Sequence, residues 1–191
     1  MKRNVILVTD GDRVAKRAVE RAAENIGARC ISSSAGNPTR LSGEQIVNMI
    51  MSAPHDPVVV MLDDRGKQGT GQGERALEYI AAHPDINVLG ALAVASNTLY
   101  TAGTTVDESV TSEGSIVSGP VDKLGHQRPG TDHYLEGDTV EILDRLNIPV
   151  VVGIGDIGKM DGADDPDRGS PLTTKALREI MDRSGFVENS R

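Results

Sequence analysis

Residues 57–82 read PVVVMLDDRGKQGTGQGERALEYIAA. Five consecutive apolar residues, Val58 to Leu62, run into two adjacent carboxylates, Asp63 and Asp64. Four glycines follow, Gly66, Gly69, Gly71 and Gly73. Glu74 then opens a segment with Ala76, Leu77 and Ile80 on one helical face. A short, unbroken apolar run reads as a strand buried on both sides. The stretch is therefore strand, glycine-rich turn and helix, with the helix predicted from about Gln72 to Ala82. Strands alternating with helices build a parallel sheet covered on both faces.

The same rhythm runs along the chain. NVILVTD (4–10) is a strand, and residues 13–26 repeat Val14, Ala18, Ala22 and Ile26 at helical spacing. ARCISSS (28–34) reads as a second strand, PVVVMLD (57–63) as the third, NVLGALAVAS (87–96) as the fourth and VVVGIGD (150–156) as the fifth. Ser42 and Gln45 fit a capping box for a helix through Met51. A short helix is expected near 138–146. Ser170 and Pro171 suit the cap and first turn of the last helix. Residues 99–137 break the pattern: loose alternation around Glu113 and Gly114 reads as a β-hairpin, and 121–137 as an exposed polar loop. The fold class is α/β: one doubly wound domain over 1–191, with a mostly parallel sheet of about five strands, helices on both faces, and a hairpin or loop insertion around 99–137.

Composition narrows the function. There is no Trp and one Phe among 191 residues, so the core must be aliphatic. The formal net charge of −8 argues against nucleic acid as the main partner, because duplex binding needs clustered Lys and Arg. The opening apolar run ends at Val8, too short for a signal segment. No stretch approaches the roughly 20 apolar residues that span a bilayer. The expectation is a soluble chain made in the cytoplasm, with no direct membrane insertion. Cys30 is the single cysteine and is read as a buried, inert thiol.

In doubly wound sheets, ligands bind beyond the carboxyl ends of the strands. This sequence concentrates small polar and acidic residues there: Asp10 and Asp12, Ser33, Asp63 and Asp64, Asn97 and Asp156. With Gly69, Gly71 and Gly73 these are the candidate ligand- or partner-binding residues. Asp10, Asp12, Asp63 and Asp64 are the candidate metal set. Paired aspartates after buried strands can share Mg²⁺ or Ca²⁺ through oxygen ligands, and two such pairs could form a two-metal site. The competing reading makes Asp12 the cap of the first helix and Asp10 a turn residue.

The specific catalytic motifs fail. A phosphate-binding P-loop needs Ser or Thr after its lysine, and Gly69, Gly71 and Gly73 are spaced G-x-G-x-G rather than G-x-G-x-x-G. The glycines are alternatively a turn using positive φ. Toprim-type domains place a glutamate after the first strand, and none stands there. From Asp161 the twelfth position is Leu172, not the glutamate of a calcium-binding EF-hand loop, so 159–170 reads as a solvated turn. No zinc spacing and no nucleophile elbow is found. A non-enzymatic role is favoured, with a Mg²⁺-dependent phosphoryl-transfer or nucleotide-binding domain as the alternative.

Several separated blocks carry a resemblance: KRNVILVTDGD, GARCISSSAGNPT, DPVVVMLDDRGKQGTGQGE, HPDINVLGALAVAS, and VVVGIGDIGKMDG followed by GSPLTTKAL. Together they resemble the short, soluble form of stage V sporulation protein AE from spore-forming Firmicutes. The resemblance implies a role in sporulation and spore germination beside membrane proteins that move dipicolinic acid with calcium. It implies partners among the stage V sporulation AA to AF type proteins, and a peripheral place at the spore inner membrane through them, with self-association as a further expectation. It carries over no catalytic residue.

Overall fold

The computed structural model describes residues 2–65, 70–96, 103–130 and 134–187. The apolar runs become β1 (Arg3–Val8), β3 (Val58–Met61), β4 (Ile86–Val94) and β9 (Val151–Ile154). A short β2 (Arg29–Cys30) lies at one edge. The order of the main sheet is β2-β3-β1-β4-β9-β6-β7, where β6 is Glu108–Val110 and β7 is Ile116–Ser118. All pairings are parallel except β6 with β7.

Alternation along the strands explains the unbroken apolar runs. Ile6, Val8, Val59 and Met61 face one core, together with α1 (Arg13–Asn25) and α5 (Pro171–Arg183). Val5, Leu7, Val58, Val60 and Leu62 face the other, under α2 (Gly43–Met51), α3 (Gln72–Ala82) and α4 (Glu141–Arg145). A strand with helices on both sides has no polar face. The helices pack through Ala15, Ala18, Ala22 and Ala23 on α1 and Ala176 on α5, which let the two lie close on the sheet. The chain turns back along the sheet after β2, so α1 and α2 lie on opposite faces, as crossovers of one hand require.

Three expectations change. The second strand is two residues long, not seven, because Ser32–Ser34 turn into a 3₁₀ helix that the Ser34 hydroxyl closes on the Ile31 carbonyl. The five expected strands, β2, β3, β1, β4 and β9, lie side by side in parallel. The hairpin expected at Gly114 forms, with Gly114 at φ 79°, and adds β6 and β7 beside β9. Residues 121–137 are not simply exposed: Val121 and Leu135 are buried, and β8 (Tyr134–Glu136) pairs with β5 (Gly103–Thr105) in a second, antiparallel sheet. The 159–170 turn is not simply solvated either, since Met160, Asp164 and Pro166 are buried.

Candidate functional site

β1, β3, β4 and β9 are neighbours and all end at the same rim. The chain leaves β1 toward α1 on one face and leaves β3 toward α3 on the other. Departures to opposite faces open a crevice at the strand ends, which is the switch point of this sheet. The crevice encloses about 340 Å³. Asp10 and Asp12 enter it after β1, Asp63 and Arg65 after β3, Ser96 after β4, and Asp156 and Lys159 after β9. Lys123 reaches it from the insertion and Asp138 from the turn before α4.

The helices that open at this rim would normally offer free backbone N–H groups, a ready anion site. Here aspartates of the chain itself take them. Asp12 Oδ1 accepts from the Val14 and Ala15 amides at 2.7 and 2.8 Å and so caps α1. Asp64 Oδ1 accepts from the Gly73 amide at 2.6 Å and Oδ2 from the Glu74 amide at 2.8 Å, which caps α3. Asp164 Oδ1 accepts from the Leu172 and Thr173 amides, both at 2.9 Å, and caps α5. Its Oδ2 accepts from the Thr173 hydroxyl at 2.5 Å and the Gly158 amide at 2.9 Å. Ser42 and Gln45 close α2 with the expected capping box.

The crevice also carries its own counter-ions. Lys159 Nζ donates to Asp12 Oδ2 at 3.0 Å and to Asp156 Oδ1 at 3.1 Å, and Lys123 Nζ lies 3.5 Å from Asp156 Oδ2. Burial alone would raise the Asp12 carboxyl, but the Ala15 amide and the Lys159 ammonium outweigh it and hold it below its ordinary value. Among the described residues Asp10 pairs with no cation and accepts from the Gly11 and Asp12 amides. Burial, then repulsion from Asp12, pushes it up to about 7. Burial and the neighbouring Asp138 push Asp63 up to about 6, against the pull of the Arg65 amide. Two carboxyls that hold their protons more tightly than usual thus sit beside Asp12, whose carboxyl is held low.

The family model for Stage V sporulation protein AE1 matches residues 4–184. The chain belongs to that family. Membership gives it a role related to sporulation. The comparison with curated proteins finds no match. The comparison with solved structures finds none either.

In this member of the stage V sporulation protein AE1 family, the crevice gathers Asp10, Asp12, Asp63 and Asp156 from the residues expected at the rim. Of the other described candidates it does not gather Ser33, Asp64, Gly71 or Gly73. Asp64 points away, into the first turn of α3. Ser33 is exposed, with its hydroxyl 3.1 Å from Met49 Sδ on α2. Gly69 and Asn97 lie outside the described residues. The four aspartates are not assembled as one metal set: Asp64 turns both oxygens onto helix amides, and Asp12 gives one to the α1 amides and the other to Lys159. Among the described residues, no group of three or more His, Cys, Asp or Glu is placed to hold a metal ion.

Gly71 and Gly73 are explained by space rather than by positive φ. Gly71 opens α3 at φ −85°, and a Cβ there would run into the Asp64 carboxylate. A Cβ on Gly73 would lie 2.8 Å from the Asp63 carbonyl oxygen. The expected cap at Ser170 is also corrected. That residue sits at φ 47° with its hydroxyl buried and unbonded, and Asp164 caps the helix instead.

Lys123, Lys159, Asp138 and Asp164 were not expected at these places from sequence. Only Lys159 left a trace, three residues after Asp156 in a turn where the two can pair. A roomier hollow of about 600 Å³ lies outside the rim, between α1, β2 and the turn at Pro166. Its charges are mutually satisfied in part, as Arg17 with Asp167 and Arg21 with Glu24.

Proposed function

We propose that the chain is a non-enzymatic accessory subunit of the machinery that transports dipicolinic acid in sporulation and germination. In this reading it works beside other stage V sporulation proteins of the AA to AF type. It is held at the spore inner membrane through them, as a docking or effector-sensing element. Family membership supports the sporulation setting. No helix among the described residues is long and apolar enough to cross a membrane, which fits attachment through partners.

The observation that carries the non-enzymatic reading is the filling of the helix N-termini. A phosphoryl-transfer or nucleotide site on such a sheet places phosphate on free helix amides. Asp12, Asp64 and Asp164 occupy those amides on α1, α3 and α5. A bare dianion such as dipicolinate meets the same obstacle, so its approach to the crevice runs through a bound calcium or through Lys123 and Lys159. Calorimetric titration with Mg²⁺, Ca²⁺ and Ca²⁺–dipicolinate tests this, with Asp10→Asn/Asp63→Asn as control. The docking role expects no heat with Mg²⁺ alone. Effector sensing expects heat with Ca²⁺–dipicolinate that the double variant loses. Micromolar Mg²⁺ binding lost in the variant would overturn the reading in favour of metal-assisted phosphoryl transfer.

A further inference from the structure

The chain leaves β9 through a turn whose backbone is held in an uncommon form. Between Gly158 and Gly162, Met160 takes φ 47° and Asp161 φ 54°. Two successive residues with side chains in the left-handed region are rare, because each brings its Cβ against the backbone. Strain of this kind persists only where surrounding contacts over-determine it. Three sets of contacts do so here. The Met160 side chain is buried and fills a slot between two glycines: a Cβ on Gly125 or on Gly155 would lie 2.9 or 2.7 Å from its sulfur. The Gly158 amide donates to Asp164 Oδ2 at 2.9 Å. The Lys159 ammonium donates to Asp12 Oδ2 at 3.0 Å and to Asp156 Oδ1 at 3.1 Å in the crevice.

Of these three restraints only the ammonium can be reached from the crevice. The Lys159 side chain is 42% exposed and lines the crevice, while Met160 and Asp164 are buried. We propose that residues 158–162 form a sprung turn latched by Lys159, and that an anionic group entering the crevice releases it by drawing the ammonium off Asp12 and Asp156. Release lets Met160 and Asp161 relax toward ordinary backbone angles. Met160 then withdraws from its slot against Gly125, and the Gly158 amide from the carboxylate that caps α5. The Asp156 amide, which donates to the Lys123 carbonyl at 2.8 Å, ties the same stretch to the insertion. An event in the crevice is thereby felt in the insertion and at the start of α5. The Asp161 side chain is exposed and makes no hydrogen bond or ion pair among the described residues, so the spring can be unloaded there without touching the latch. The latch is a property of this turn and does not depend on the accessory-subunit reading.

Amide exchange followed residue by residue by NMR tests it. The Gly158, Lys159, Gly162 and Ala163 amides are hydrogen-bonded within this stretch or to Asp164 and report its opening. Lys159→Met should speed their exchange about two- to fivefold, the factor that a partly exposed ion pair is worth, and leave β1, β4 and β9 unchanged. Asp161→Gly, which relieves the left-handed position, should slow the same amides in the parent. Added to Lys159→Met, it should bring them back toward the parent rate, a rescue that a simple surface ion pair would not give. Inorganic phosphate, titrated at constant ionic strength, is the anionic probe. It should speed these amides in the parent and leave them unmoved in Lys159→Met. Unchanged turn exchange in Lys159→Met would overturn the proposal. So would a change shared equally with the three strands, an Asp161→Gly variant that exchanges as fast as its background, or a parent that does not respond to phosphate.

Discussion

Gly71 leaves the space that the Asp64 carboxylate fills. Asp64 is 4% exposed, yet both of its oxygens are satisfied, because the first turn of α3 brings the Gly73 and Glu74 amides onto them. The glycines are thus the counterpart of a buried acid, and the acid is what starts the helix. Gly71→Ala should displace the carboxylate and cost about 1–3 kcal/mol, the usual range for an overpacked site or a lost cap. Urea unfolding measures it. A variant as stable as the parent would mean that the cap tolerates the methyl group.

The last helix offers a sharper contrast. Asp164→Ala removes four hydrogen bonds from a fully buried site and should cost about 2–4 kcal/mol, the sum of a lost cap and orphaned amides. Ser170→Ala removes only an unbonded, buried hydroxyl and should change stability by less than about 0.5 kcal/mol. Chemical denaturation of the two variants side by side decides between the residue next to the helix and the residue six positions before it.

Stability should fall as pH rises through 6 to 7. Asp10 and Glu74 hold their protons up to about 7 and Asp63 up to about 6, against ordinary values of 3.8, 4.5 and 3.8. The folded chain therefore binds more protons than the unfolded chain between roughly pH 4 and 7, and proton linkage then lowers stability with rising pH. Asp12 runs the other way. Its carboxyl is held low, so its contribution is present above 3.8 and is lost as pH falls through the lowered value. Thermal unfolding followed by circular dichroism should give a higher midpoint at about pH 5.5 than at about pH 8. A midpoint that climbs toward alkaline pH would contradict these assignments.

Lys159→Met takes the counter-ion from Asp12 and Asp156. The side chain is 42% exposed, so the stability cost should stay below about 1 kcal/mol. The electrostatic effect is larger: the Asp12 carboxyl should titrate at a higher pH than in the parent. Carbon NMR of the side-chain carboxyl reads this directly, and an unmoved titration would show that the helix amides alone hold it down.

Cys30 should be nearly inert while the chain is folded. Burial, then the nearby Glu20, pushes its thiol up to about 11, and thiol reagents need the thiolate. Labelling in native buffer should be slow and should accelerate on adding denaturant. Rapid native labelling would place β2 in an open state.

Much of the fold was legible because its signals are local. Val58–Leu62, the 13–26 periodicity and the Ser42–Gln45 box each depend on neighbours within a few residues, and the strands and helices formed where that spacing put them. The convergence of Asp10, Asp12, Asp63 and Asp156 followed from topology, since parallel strands must end on one side. Which acid serves which purpose was decided in three dimensions. Asp63 and Asp64 are adjacent in sequence, but β3 ends just before them, so one faces the crevice and the other turns under α3. Lys159 reaches Asp12 across 147 positions, and Asp138 reaches the rim only because β8 folds back to pair with β5. A carboxylate's role depends on the amides, cations and other acids within about 3–4 Å of it, and chain order carries that information only for near neighbours.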